Sequence, residues 1–169
     1  MIVTKVNSSF AQIISELGRK TFYDTWNHEN NEIDMQSYLE EAFSIKSIKQ
    51  QLNNPECFFY VIRIEEKCIG YLKLNVGKAQ TEFQKQEALE IEKIYFLKQF
   101  QGKKIANLFM ETSLNLASEL NKKVIWLGVS ERNSRALAFY QRHGFIVTGK
   151  HTFMIGETLD KDLIMEKIL

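Results

Sequence analysis

Proline is almost missing from this chain, with one residue, Pro55, in 169. That scarcity leaves little room for stiff interdomain linkers, and the length suits a single domain spanning residues 1–169 with a substantial core. Cysteine is nearly as rare. Cys57 and Cys68 lack metal-ligand spacing and each falls in a strand pattern. Buried free thiols in a reducing compartment are therefore expected, with neither a disulfide framework nor a metal site. No apolar run is long enough to span a bilayer and no signal-peptide pattern is present, so a cytoplasmic location without membrane attachment is expected. Net charge is only +1, which removes the bulk electrostatic argument for direct nucleic-acid binding. Internal repeats and low-complexity tracts are absent as well.

What the chain does have is one informative stretch, ALEIEKIYFLKQFQGKKIANLF, from Ala88 to Phe109. Its first half is a strand pattern in which Leu89 and Ile91 share one face, leaving Glu90 and Glu92 on the other. Ile94 and Phe96 then continue the apolar residues on the opposite parity. A strand with one buried face cannot switch parity without an extra residue, so a β-bulge is expected near Glu92-Lys93-Ile94. The second half opens an amphipathic helix through the basic loop Gln101-Gly102-Lys103-Lys104-Ile105-Ala106. The first turn of a helix leaves backbone N–H groups unpaired at the positive end of its dipole, an arrangement suited to phosphate.

Elsewhere the pattern predicts a first strand over 1–6, then a helix capped by Ser8 or Ser9 and carrying Phe10, Ile13, Ile14, Leu17 and Phe22. Residues 23–31 read as a loop, and Asp34 as the cap of a second helix that breaks near Ser44. Two strands, 58–64 and 68–76, form a hairpin through Glu65-Glu66-Lys67. After the helix from Lys104 to Leu120, the strand at 123–129 completes a strand–helix–strand unit and hence a parallel pair. Asn133 or Ser134 caps a helix that ends at Gly144, and the tail forms two strands around a connection at 156–161.

Two of these segments carry a family resemblance. A bulged strand bearing Glu, followed by Gln101-Gly102-Lys103-Lys104-Ile105-Ala106, resembles the acetyl-CoA-binding core of the GNAT N-acetyltransferase superfamily. So does Asn-x-x-Ala-x-x-Phe-Tyr-x-x-x-Gly-Phe within SERNSRALAFYQRHGF. The loop departs from the family at Lys104, which stands where a glycine is usual and would let backbone amides approach a pyrophosphate. Across nearly the whole chain, TFYDTWNHEN, SYLEEAF, LEIEKIYF, NKKVIWLGV and the tail are similar to PaiA-type spermidine/spermine N-acetyltransferases. The resemblance implies the GNAT fold, an α/β (α+β) domain. Its central sheet of about seven strands is mixed but mostly antiparallel and flanked by helices, with a bulged central strand and a parallel pair within residues 88–129.

It also implies direct transfer of acetyl from acetyl-CoA to an amine. An alkyl ammonium has a pKa near 10, so only about one molecule in a thousand is neutral at pH 7. A base or a desolvated pocket must supply the nucleophile. Glu90 or Glu92 fits that role, and Glu90 matches the family's base in an ungapped alignment. Tyr140 matches the family's acid, which returns a proton to the thiolate of CoA. For the cofactor, the backbone amides of Gln101, Gly102, Lys103, Lys104, Ile105 and Ala106 are expected to hold the pyrophosphate. Asn133, Ala136 and Phe139 are expected beside the pantetheine arm, and bulge amides around Ile94, Tyr95 and Phe96 near the thioester carbonyl.

The acceptor is read from charge. Residues 24–41 hold Asp24, Glu29, Glu32, Asp34, Glu40 and Glu41 with no Lys or Arg. That local negative field attracts a linear polycation such as spermidine, with Trp26, Tyr38 or Tyr23 along its aliphatic segments. Carboxylates that attract ammonium groups also raise their pKa, so Glu32, Asp34 and Glu41 are assigned to distal amines. A peptide N-terminus or another small amine is the alternative acceptor. A non-catalytic CoA-binding regulatory module is a further alternative, favoured by Lys104 and opposed by the retention of Glu90, Asn133 and Tyr140 together. The sequence leaves a homodimer open.

Overall fold

The computed structural model describes residues 1–27, 31–82, 85–102, 104–155 and 158–169. Its strands are β1 (Ile2–Val6), β2 (Cys57–Ile64), β3 (Lys67–Val76), β4 (Ala88–Phe96), β5 (Val124–Ser130), β6 (Ile146–Ile155) and β7 (Thr158–Ile168). They form one sheet in the order β1-β2-β3-β4-β5-β7-β6. All neighbours are antiparallel except β4 and β5, which run parallel because α4 (Ile105–Glu119) carries the chain back between them. Helices α1 (Ala11–Trp26), α2 (Glu32–Ala42) and α3 (Ile45–Leu52) cover one face, burying Ile14, Phe22, Leu39 and Phe43 against Phe59, Val61 and Tyr71. On the other face, Ile105, Phe109 and Met110 of α4 pack on Leu72, Leu74, Leu89 and Ile91, and α5 (Ser134–Arg142) lies alongside.

The bulge is where the parity switch places it. Lys73 is opposite Lys93 and Leu74 is opposite Ile91, so Glu92 is the extra residue with no partner on β3. The insertion keeps Leu89, Ile91, Ile94 and Phe96 on the α4 face. It also turns Glu92 to the same side as Lys73 and Asn75, both of which it contacts. On its other edge β4 pairs with β5 only from Ala88↔Val124 to Glu90↔Trp126. Beyond that point β4 and β5 diverge into a cleft.

Several boundaries differ from the sequence expectation. Helix α1 runs through Trp26, so residues 23–26 are not loop. The Thr21 and Thr25 hydroxyls donate to carbonyls four residues back, and the Phe22 ring packs on Trp26 and Tyr38, which together hold the last turn. Asn7, rather than Ser8 or Ser9, caps the short 3-10 turn that precedes α1. Asn31, rather than Asp34, caps α2, with Glu32 and Asp34 in its first turn where the dipole favours acids. Ser44 separates α2 from α3 by capping the latter. β7 already starts at Thr158, so the connection between the last two strands is shorter than expected. Among the described residues, no helix is long and apolar enough to cross a membrane.

Candidate active site

The cleft between β4 and β5 holds two adjoining cavities. The first, of about 360 Å³, lies over the loop that leads into α4. Every described residue expected at the cofactor lines it: Ile94, Tyr95, Phe96, Gln101, Gly102, Lys104, Ile105, Ala106, Asn133, Ala136 and Phe139. Lys103 lies outside the described residues. Thr25, Asn107, Arg135 and Arg142 line it too and carried no recognised motif.

The loop has the backbone of an anion cradle. Gly102 and Lys104 both have positive φ, +85° and +59°. Lys104 precedes α4 in the left-handed conformation and makes no side-chain cap. Lysine thus adopts the geometry for which glycine is usual, so the departure leaves the turn intact. A left-handed non-glycine residue costs about 1–2 kcal/mol, partly offset by the greater freedom glycine has when unfolded. Lys104→Gly should therefore raise unfolding free energy by about 0.5–1 kcal/mol, measured by urea titration. Loss of stability would contradict this. Arg135 stands over the same loop: its Nη1 donates to Gln101 Oε1 at 3.3 Å, and a Cβ added at Gly102 would sit 3.3 Å from its Nη2. Asn133 uses its Oδ1 to cap α5, accepting from Ala136 N at 3.1 Å. The combination of a helix N-terminus, left-handed turns and a guanidinium suits an anionic group.

The second cavity, of about 380 Å³, lies toward α1 and α2. Phe22, Trp26, Tyr38, Tyr95 and Trp126 give it aromatic walls. Glu90, Glu92 and Lys93 line it from β4, Thr81 from the β3–β4 connection, and His151 and Asp162 from the last two strands. The expected acceptor residues therefore divide. Trp26 and Tyr38 line the cavity. Glu32, Asp34 and Glu41 do not, because α2 turns its first-turn acids and Glu41 away from the cleft while burying Met35 and Leu39. Glu29 lies outside the described residues.

Glu90 and Glu92 are two residues apart yet chemically distinct. Glu92 is clamped by both Lys73 and Lys93, the latter with Nζ at 2.5 Å from Oε1. Burial alone would raise its pKa, but Lys93 and Lys73 outweigh that and hold it well below the usual carboxylate range. Lys93 is the mirror case. Burial would lower it, but Glu92 overrides and holds the ammonium charged. Among the described residues, Glu90 has no cation in hydrogen-bond or ion-pair contact. It accepts from Asn75 Nδ2 at 3.0 Å, from Thr81 N at 2.9 Å and from the Thr81 hydroxyl. Burial raises its pKa, opposed by the Thr81 and Asn75 hydrogen bonds and reinforced by Glu92. A carboxylate with a raised pKa on a cavity wall is suited to accept a proton, whereas one locked between two ammonium groups is not.

Tyr140 lines both cavities, packed edge-on against Phe139 and Phe145. Burial, with Tyr95 adding to it, pushes its phenol above the ordinary value and keeps it protonated. Thr25, Ile94, Tyr95, Asn133 and Ala136 complete the wall that the two cavities share.

Comparison with known proteins adds an independent line. Residues 13–145 match the model of the acetyltransferase (GNAT) family. The chain is 34% identical to an uncharacterized N-acetyltransferase in the pepI 3′ region of Lactobacillus delbrueckii subsp. lactis, over 90% of this chain and 88% of that one. It is 24% identical to a spermine/spermidine N(1)-acetyltransferase of Bacillus subtilis, over 78% of this chain and 90% of that one. Among solved structures, a PaiA N-acetyltransferase from Thermoplasma acidophilum in complex with coenzyme A superposes with a TM-score of 0.81. The two are 19% identical, and the match covers 99% of this chain and 98% of the other.

Proposed function

The chain belongs to the GNAT acetyltransferase family and is an acetyl-CoA-dependent N-acetyltransferase, and from that premise we propose that it acetylates a primary amine of a polyamine such as spermidine or spermine. The observation that carries this is the pair of cavities meeting at one wall. One is suited to a phosphate-bearing cofactor, and the other joins a buried carboxylate to aromatic walls.

Acetyl-CoA supplies an activated acetyl group as a thioester. The turn through Gly102 and Lys104, the start of α4 and Arg135 bind its phosphates. Backbone N–H groups on the β5-facing edge of β4 beyond Glu90 are left without a sheet partner and meet the thioester carbonyl. Glu90 takes the proton of the acceptor ammonium, and Tyr140, kept protonated, donates to the departing thiolate. Glu92 is the counter-ion of Lys73 and Lys93 rather than the base. On the acceptor side, aromatic faces suit an alkyl ammonium and its aliphatic stem. Asp162 supplies a carboxylate on the side of the last two strands for a distal amine, the role first assigned to Glu32, Asp34 and Glu41. The similarity to the Bacillus subtilis polyamine enzyme supports the same acceptor class.

The test is release of free CoA thiol across spermidine, spermine, a monoamine of matched length, a peptide panel and an aminoglycoside. Polyamines should give kcat/KM at least about tenfold above the monoamine, since a hydrogen bond to a charged group is worth about 1.5–3 kcal/mol. Turnover of peptides without polyamines would move the assignment to a peptide N-terminus. Absence of thiol release with every amine, despite CoA binding, would favour the regulatory module. Lys104 no longer supports that module, since it takes the backbone conformation of the glycine it replaces.

A further inference from the structure

Glu90 is 2% exposed, and both of its oxygens already accept hydrogen bonds. A base so enclosed shows the cavity little of its own surface, so a neighbour that touches both it and the open space is suited to carry its proton. Its side-chain hydrogen-bond partners are Asn75 and Thr81. Asn75 is fully buried, and an amide does not pass protons readily. Thr81 is exposed, lines the acceptor cavity and donates its hydroxyl to Glu90 Oε1.

The position of that hydroxyl is built rather than incidental. On one side, buried Gln80 accepts from Trp126 Nε1 at 2.7 Å, tying the connection to β5. Its amide nitrogen donates to the carbonyls of Gly77 and Lys85 at 3.1 and 2.9 Å, closing the connection on itself. On the other side, Glu82 Oε1 lies 3.0 Å from His151 Nδ1 of β6. Thr81 is thus suspended over Glu90 between anchors on two other strands, with its own N–H held by the carboxylate.

We propose that the Thr81 hydroxyl is the proton relay between the acceptor ammonium and Glu90. The inference rests on the acetyltransferase reading and on Glu90 as its base. An N–H bond of the ammonium breaks as an O–H bond forms at Thr81 Oγ1, whose own proton passes to Glu90 Oε1. Threonine ends neutral, Glu90 ends as a carboxylic acid, and the amine keeps the electron pair that attacks the acetyl carbon. Among the described residues, the ionisable groups around this path are Glu92, Lys93 and Tyr95 on the same strand, Lys73 on β3, Cys57 on β2, Tyr38 on α2, Tyr140 on α5, and Glu82, His151 and Asp162 across the cavity.

The experiment measures kcat for Thr81→Val, which keeps the shape and removes the hydroxyl, against Thr81→Ser, which restores it. Both use the full chain with saturating acetyl-CoA and its best amine from pH 6 to 10. The valine variant should lose about 10²-fold at neutral pH. Its deficit should shrink toward pH 10, where the amine arrives neutral and the relay is bypassed. The serine variant should recover most of the lost turnover, and the CoA dissociation constant should match wild type in both. If the valine variant folds poorly, Thr81→Ala repeats the comparison. A merely structural threonine would give a deficit that does not vary with pH, or equal losses for valine and serine, and either result overturns the proposal. So does full activity of the valine variant at pH 7. Glu90→Gln run in parallel separates the layers: if it is active at neutral pH, the base assignment itself fails. If it is impaired while Thr81→Val is not, only the relay fails.

Discussion

Glu92→Gln should unfold the protein under conditions where the wild type is fully folded, with a loss of about 3–5 kcal/mol. Glu92 is the residue inserted by the bulge and the shared partner of Lys73 and Lys93, which face each other across β3 and β4. Removing its charge leaves two ammonium groups side by side in a largely buried site. The Phe59 and Phe43 rings near them, at 5.7 Å from Lys73 and Lys93 respectively, compensate only in part. The pH dependence has two signs. The folded pKa of Glu92 is depressed, so its contribution is present above the ordinary carboxylate value and is lost as pH falls. The folded pKa of Lys93 is raised, so its contribution is complete below the ordinary lysine value and is lost as pH rises through the higher folded one. Wild-type stability should therefore hold a plateau from about pH 5 to 10, and Glu92→Gln should lower that plateau. Urea midpoints across pH are the measurement, and a loss below 1 kcal/mol would remove the triad from the account of stability.

Glu90→Gln should do the reverse, sparing the fold and removing turnover. The amide keeps the shape and accepts from Thr81 and Asn75 through one oxygen, but it cannot take a proton. General-base loss is worth about 10²–10⁴-fold in kcat, or roughly 3–5 kcal/mol of barrier. In the wild type the acid limb of the pH–rate profile should lie above the ordinary carboxylate range, because burial raises Glu90, and turnover should grow as pH rises through it. The variant should lose that limb along with its rate while binding CoA as before. A variant with wild-type kcat, or a wild-type acid limb at ordinary glutamate pH, would exclude Glu90 as the base.

These two outcomes differ because of register. In the sequence, Glu90 and Glu92 look like a pair on one strand face, and the parity switch at Ile94 reveals the bulge beside them. What the sequence does not reveal is that Lys73, some twenty residues earlier, lies opposite Lys93, since hairpin register brings them together. Most of the first cavity was legible because its parts are local: a strand, a glycine turn and a helix start follow one another along the chain, and the Asn133 cap comes one helix and one strand later. Residues lining the second cavity such as Thr81, His151 and Asp162 come from a connection and two distant strands that only the sheet order β5-β7-β6 assembles. The acidic run at 24–41 showed the opposite failure. Its charges are close along the chain, but helical periodicity carries Glu32, Asp34 and Glu41 away from the cavity while Trp26 and Tyr38 point into it. The end of α1 was missed for a similar reason. Tyr23 to Trp26 look irregular until the Phe22–Trp26 and Phe22–Tyr38 ring contacts supply the tertiary support.

The partition formed by Ile94, Tyr95, Ala136 and Tyr140 has a cavity on each of its two sides. A donor reaching one side and an acceptor reaching the other sit within a bond's formation of each other only when both are present at once. On the proposed function, such a geometry would let the group pass hand to hand in a single handover.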